Sequence, residues 1–259
     1  MWQIHSRPEI FQRRDDWSPM NLTDYFQSVY VINLPQRRDR RREMARQLRK
    51  IGLGFRSPGV RLFEAVRPKG PQGFPSIGAR GAFLSHLRVL KDASGQNLQR
   101  ILILEDDVNF VPEFSERIGA VQGELKCNDW SVFYGGYVIP AGLDSKGREG
   151  LIQAEPSLGI QTAHFIGLRG QAIQEAVGYL EAMLTRPEGD PLGGPMHVDG
   201  AYTWFRHAFP HMLTLLASPQ LGYQRSSRSD ISTPRWFDSV PGVRQATACL
   251  RQLGNRTLT

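Results

Sequence analysis

The chain has 259 residues, of which 40% are hydrophobic, 10% aromatic and 22% charged. That is enough apolar material for one large or two small packed domains, and too much for a disordered chain. Lys and Arg number 32 against 25 acids, a net charge of +7 that favours anionic partners such as phosphorylated small molecules or anionic lipid. With neither zinc-finger spacing nor a basic stripe interleaved with stacking aromatics, nucleic acid is not expected as a partner.

No run of 18 apolar residues occurs, so no membrane-spanning helix is expected. The N-terminus lacks the apolar run of a secretory signal, and Cys127 and Cys249 read as structural thiols of a reducing compartment. The expected location is therefore cytoplasmic.

In chain order, residues 1–27 read as a polar N-terminal arm with scattered aromatics. Val29 to Leu34 is a short β-branched run closed by Pro35, which predicts a buried strand. Asp39 is placed to cap a helix running to Ile51, with Met44, Leu48 and Ile51 on its inner face. Eight of the fourteen residues from Arg37 to Lys50 are basic. A second strand is expected near Phe63 to Val66, then a Pro/Gly loop from Pro68 to Pro75, then a helix over Ile77 to Leu90.

Ile101 to Leu104, four aliphatics in a row, predicts a strand buried on both faces, as in a parallel sheet. Further strands are expected at Ser131 to Tyr134 and Thr162 to Leu168, the latter followed by an amphipathic helix from Gln171 to Leu184. Between these two strands lies a hairpin-like stretch rich in glycine (Gly142, Gly147, Gly150). Arg186 to Met196 reads as a Gly/Pro loop able to close over a ligand, and Val243 to Leu253 as a short basic helix. Alternating strands and helices predict an α/β fold with a mostly parallel central sheet flanked by helices. The expected division is an arm (1–27), one Rossmann-like domain (28–235) and a tail (236–259). Gly-x-Gly-x-x-Gly and Walker patterns are missing after the first strand, which argues against dinucleotide and P-loop enzymes.

Glu105, Asp106 and Asp107 stand where the run Ile101 to Leu104 stops, at the carboxyl end of a strand, where open α/β sheets bind ligands. Adjacent carboxylates repel, and a divalent cation offsets the repulsion. Strand alternation would turn Glu105 and Asp107 to one side, as metal ligands, and Asp106 to the other. Solvated strand-end acids or a helix cap are the structural alternatives.

Several blocks together resemble glycosyltransferase family 25, the lipopolysaccharide glycosyltransferases. They are Val29 to Leu34 with Arg37, Asp39 and Arg40; Gly78 and Gly81 to Leu84 with Ser85-His86-Leu87; and Leu102 to Val108. Phe133-Tyr134-Gly135-Gly136, Val198-Asp199, and Gln224 with Ser229-Asp230-Ile231 follow in the family's order. The resemblance implies a GT-A-like fold, a UDP-sugar donor with galactose as the expected sugar, Mn²⁺ or Mg²⁺, and inversion at the anomeric carbon. It also implies a saccharide or glycolipid acceptor such as lipooligosaccharide, and with the basic charge this suggests peripheral contact with an anionic membrane. On that reading Asn33, Leu34, Arg37, Arg40, Ser85, His86 and Asp106 are candidates for the donor side. Arg37 and Arg40 suit diphosphate recognition by guanidinium. Asn33 would bind uracil or ribose, or else cap its turn. Asp199 is the candidate general base, with Asp190 in reserve. A helix N-cap is the alternative for Asp199, and a buried structural residue for His86. Ala79 and Ala82 stand where the family often has Glu and Cys, which keeps open a catalytically inactive saccharide- or partner-binding domain.

Overall fold

The computed structural model describes residues 21–138 and 148–225. The expected helix at Val243 to Leu253, Asp230 with its neighbours, most of the arm and residues 139–147 of the glycine-rich stretch lie outside the described residues.

A short 3-10 turn, Leu22–Asp24, leads into β1 (Ser28–Asn33), α1 (Arg38–Lys50), β2 (Val60–Glu64), α2 (Ile77–Gly95) and β3 (Arg100–Glu105). Then come β4 (Val108–Phe110), α3 (Phe114–Cys127), β5 (Val132–Val138), β6 (Gly150–Ala154) and β7 (Gln161–Arg169). The described chain closes with α4 (Gln171–Thr185), α5 (Val198–Ala208), β8 (Thr214–Ser218) and β9 (Gly222–Gln224). Seven strands form one sheet in the order β2-β1-β3-β7-β5-β8-β6, and β4 pairs β9 in a small ribbon.

The sheet is mostly parallel, as expected. β2, β1, β3, β5 and β8 share one direction, while β7 and β6 run against it. β7 lies between β3 and β5 and pairs antiparallel with both.

Period-two alternation in β1 and β3 builds two cores. Tyr30, Ile32, Ile101 and Ile103 face one side, with Phe83, Leu87 and Leu90 of α2, Ile173 and Leu180 of α4, and Phe205 of α5. Val29, Val31, Leu102 and Leu104 face the other, with Met44 and Leu48 of α1 and Ile118 and Leu125 of α3. Burial on both faces is what an aliphatic run without polar alternation requires. The second core also takes in Leu22, Tyr25 and Phe26, all buried, so the C-terminal end of the expected arm packs into the domain.

Three local details differ from the sequence reading. Asp39 lies in the first turn of α1 rather than capping it; Arg37 holds the cap position with no side-chain cap bond, and Asp39 accepts from its Nε and Nη2 at 3.1 and 3.0 Å. That hydrogen bond chiefly holds the Asp39 carboxyl down at about 2. β2 begins earlier than expected and α2 runs five residues further, because Leu90 and Ala93 continue its buried stripe. α3 and β8 were not anticipated. Their signals are nonetheless in the chain: Phe114, Ile118, Val121 and Leu125 recur at helical spacing, and Thr214-Leu215-Leu216-Ala217 is a short, mostly apolar run.

Candidate active site

The acidic triplet sits at the carboxyl end of β3, next to that of β1. β3 ends at Glu105, and Asp106-Asp107 form a turn into β4. Strand alternation therefore does not extend through the triplet. Asp106 and Asp107 do not point to opposite sides: Arg40 Nη1 reaches both, at 3.0 Å to Asp106 Oδ1 and 3.4 Å to Asp107 Oδ2.

Asp106 is fully engaged. Its Oδ2 accepts from Asn33 Nδ2 at 2.6 Å, and the same amide reaches the Arg37 carbonyl at 3.4 Å. Asn33 thus ties the β1–α1 turn to the acidic turn. Leu34, whose carbonyl accepts from Arg37 N at 2.8 Å, shapes that turn. Burial pushes the Asp106 carboxyl up, against the opposing pull of Arg40 and Asn33.

Two residues not anticipated at this end close the other side. Arg225 N donates to the Asp107 carbonyl at 2.7 Å, and Arg225 Nη2 to the Asp106 carbonyl at 3.0 Å. Gln224 Nε2 reaches Asp107 Oδ2 at 3.4 Å. The β4–β9 ribbon, pairing Val108 with Gln224, delivers them. Three-residue strands carry too little pattern to be read from sequence, although Gln224 was among the residues of the resemblance.

Asp107 is the unbalanced acid. Burial, then the charges of Glu105 and Asp106, outweigh Arg40 and Arg225 and push it up to about 7. Its Oδ1 is buried and has no hydrogen-bond partner among the described residues. Glu105 behaves oppositely. Burial works to raise it, but the hydrogen bond from His86 and the charges of His86, His164 and Arg40 hold it below the usual carboxylate value. An orphaned carboxylate oxygen beside an ionised carboxylate fits a hard divalent cation, which commonly takes only one or two protein carboxylates and fills its shell with phosphate and water. The described residues offer no cluster of three or more acids, histidines or cysteines able to cage a metal. Of the triplet, Asp107 has an oxygen without a protein donor, whereas both oxygens of Asp106 are taken by Asn33 and Arg40.

Ser85 and His86 are both buried in α2. Ser85 Oγ donates to the Gly81 carbonyl at 2.6 Å and accepts from Val66 N at 2.8 Å, so it fastens α2 to the segment after β2 and offers nothing to a donor. His86 links two elements: Nε2 lies 3.2 Å from Glu105 Oε1 and Nδ1 lies 3.2 Å from the Tyr202 hydroxyl of α5. A carboxylate only accepts, so the hydrogen on Nε2 is assigned toward Glu105, and Nδ1 accepts from Tyr202. His86 is wholly buried and reaches the acidic end through Glu105.

Asp199 lies in the first turn of α5, with His197 at the cap position. Its Oδ1 accepts from Gly200 N at 2.8 Å and its Oδ2 from Thr162 N at 3.0 Å. Thr162 has φ +69°, which a β-branched residue rarely adopts, and its Oγ1 is 3.0 Å from His164 Nδ1. His164 is buried, and burial lowers it to about 4, so the ring is neutral near pH 7. Sequence reasoning missed it. The signal lay in Gly135-Gly136: a Cβ on Gly135 would stand 2.5 Å from the Phe165 ring, and one on Gly136 2.6 Å from His164 Nε2 and 2.3 Å from the Gly222 carbonyl. The paired glycines make room for β7 and β9.

Asp190 caps its own loop, accepting from Leu192 N at 2.8 Å. That loop is tied down at its base: Tyr179 Oη donates to the Leu192 carbonyl at 2.8 Å, and Arg186 Nη1 reaches the carbonyls of Leu192 and Gly193. Asp190 thus stands near Tyr179 on the α4 side, and Asp199 is the acid joined to β7.

Residues 74–138 match the model of glycosyltransferase family 25 (LPS biosynthesis protein). Procollagen galactosyltransferase 1-B of Xenopus laevis is 30% identical over 129 residues, covering 42% of this chain and 21% of the relative. A human relative named inactive glycosyltransferase 25 family member 3 is 26% identical over 127 residues, covering 42% and 21%. The chain thus spans about a fifth of the length of these relatives. Among solved structures, a glycosyltransferase involved in glycosylating the major capsid of PBCV-1 aligns with TM-score 0.48 and 10% identity, over 86% of this chain and 98% of that one.

Proposed function

We propose that this chain, related to glycosyltransferase family 25 through its residues 74–138, transfers a hexose from a UDP-sugar to a saccharide acceptor with Mn²⁺ or Mg²⁺ bound. The observation that carries the reading is Asp107: a buried carboxylate with an orphaned oxygen, beside ionised Glu105, at the carboxyl end of two adjacent parallel strands.

Glu105 and Asp107 would hold the cation. When bound, it supplies positive charge to a diphosphate leaving group. Arg40 and Asn33 fix Asp106 and the β1–α1 turn, so the donor side is built by residues 33–40 against the acidic turn. Arg37, on that turn, is the guanidinium candidate for the diphosphate. His86 orients Glu105 from behind.

In the transfer, an acceptor hydroxyl oxygen bonds to the anomeric carbon as the bond from that carbon to the phosphate oxygen breaks, and the hydroxyl proton passes to Asp199. Attack opposite the leaving group inverts the centre. Two backbone N–H donors keep the Asp199 carboxylate oriented, and each oxygen retains capacity to accept a proton. Galactose is the sugar favoured by the names of the galactosyltransferase relatives, and a glycolipid acceptor by the family model's description and the basic charge.

A thermal-shift screen of UDP-sugars with and without Mn²⁺ tests the reading. A ligand at 100 times its Kd adds about 2.7 kcal/mol of stability. No Mn²⁺-dependent shift with any UDP-sugar would sink it. A second reading, binding without turnover, is favoured by the inactive human relative and by Ala79 and Ala82. Release of UDP from a UDP-sugar by the metal-loaded protein separates the two.

A further inference from the structure

A cavity of about 610 Å³ opens beside Asp199. Ile160, Met196 and Trp204 give it apolar walls, and Gln161, His197 and Asp199 give it polar ones. Its volume lies within the roughly 300–1,000 Å³ of small-molecule sites, and it has their mixture of apolar wall and few polar groups.

Its position follows from the sheet. Leu104 pairs with Phe165 in the antiparallel β3–β7 register, so the first residues of β7 run past the end of β3. Gln161 and Thr162 therefore flank the same sheet end as the acidic turn. The connection also runs through side chains. Asp199 on the cavity wall accepts from Thr162, Thr162 contacts His164, and His164 adjoins Phe165, the partner of Leu104 at the end of β3.

The lining selects a ligand class. Among the described residues it includes a carboxylate and no Lys or Arg, so a phosphate group is disfavoured there. A partly exposed indole beside an amide, an imidazole and a carboxylate suits a neutral ring with one apolar face and a rim of hydroxyls. Trp204 is held from the loop side, where a Cβ on Gly193 would stand 3.4 Å from its Cγ.

We propose that this cavity is the acceptor site and binds a pyranose stacked on Trp204, with hydroxyls bonded to Gln161 and His197 and the reacting hydroxyl toward Asp199. The assignment to the acceptor rests on the transferase reading above; the binding of a sugar ring does not.

Saturation-transfer NMR with methyl β-galactoside, methyl β-glucoside and lactose, alongside calorimetry of UDP with Mn²⁺, tests it. Wild type should transfer saturation to ring protons of at least one saccharide. Trp204→Ala should lose at least fivefold of that signal, Trp204→Phe should retain it, and UDP affinity should stay within twofold in both. Gln161 and His197 are exposed, so their double alanine variant keeps the fold and should lose signal likewise, should Trp204→Ala misfold. Undiminished transfer in these variants overturns the proposal, as does a wild type that binds UDP but none of the saccharides. Trp204-dependent saccharide binding without UDP binding would leave the sugar cavity standing and sink the transferase reading.

Discussion

His86 is wholly buried and holds Glu105 Oε1 at 3.2 Å from its Nε2, so the ionised state of a carboxylate at the end of β3 depends on a helix residue nineteen positions earlier. Replacing His86 by Phe keeps the ring and removes the donor. Leaving a buried acceptor unpaired costs about 1–3 kcal/mol. The pH dependence follows from sign. Glu105 is held below its ordinary value in the folded state, so its stabilising share is present above the unfolded value and lost as pH falls through the folded one. Urea unfolding of the variant should show the deficit near pH 7 and a smaller one below pH 4. An equal deficit at both would mean that packing, and not Glu105, carries the effect.

Asp107 has the opposite sign. Its folded value is raised to about 7, so its favourable share is complete below the unfolded value and disappears as pH rises through 7. Without divalent metal, Asp107→Asn should be more stable than wild type at pH 8, by ~2–4 kcal/mol, a tenfold change in proton affinity being worth about 1.36 kcal/mol. Near pH 4 the two should be equal. Melting curves in chelator across that range check this. The same variant should lose the stabilisation that Mn²⁺ with UDP gives wild type.

For the proposed base, Asp199→Asn should lower turnover 10²–10⁴-fold while Mn²⁺-dependent UDP affinity stays near wild type. Single-turnover kinetics beside calorimetry makes the comparison. Loss of both would place Asp199 on the donor side, and unchanged turnover would direct attention to Asp190.

Two glycines should respond in opposite directions. Gly136→Ala drives a methyl to 2.3 Å from the Gly222 backbone carbonyl and should cost ~1–3 kcal/mol or more. Gly178→Ala, inside α4 with nothing within 4 Å of the added carbon, should stabilise by about 0.5–1 kcal/mol. Parallel chemical denaturation reads both.

Arg38, Arg41, Arg42, Arg46, Arg49 and Lys50 are exposed on α1. Sedimentation with phosphatidylserine vesicles should therefore retain the protein at low salt and release it at high salt, each basic residue near the surface contributing about 1 kcal/mol. Binding that ignores lipid charge and salt would remove the peripheral membrane contact from the proposal.

The adjacent parallel strands β1 and β3 were legible because they are extreme: Val29 to Asn33 and Ile101 to Leu104 are buried on both faces, and a mainly aliphatic run is what such burial demands. α3 was legible only in principle, since Phe114, Ile118, Val121 and Leu125 make a thin stripe diluted by polar residues and glycine. The direction of β7 was not legible, since a buried strand has the same pattern whichever way it runs. The triplet's place at a strand end could be read from the aliphatic run before it. Its internal geometry could not, because alternation holds only while the chain stays extended, and the turn at Asp106-Asp107 sends both acids to Arg40. His164, Gln224 and Arg225 reach the acidic end through pairings made across the chain, which local sequence does not encode.

The stretch matching the family model, residues 74–138, contains β3 and β5 but not β7, and in the sheet β7 lies between them. Excised, that stretch would hold two strands facing an empty slot, each with a full row of unpaired backbone donors and acceptors and a stripped apolar face. The stretch that carries the family match is thus not by itself a unit of folding. A fragment cut to the family match should aggregate, whereas one extended through Arg169 carries the missing strand and regains the β3–β7–β5 ladder.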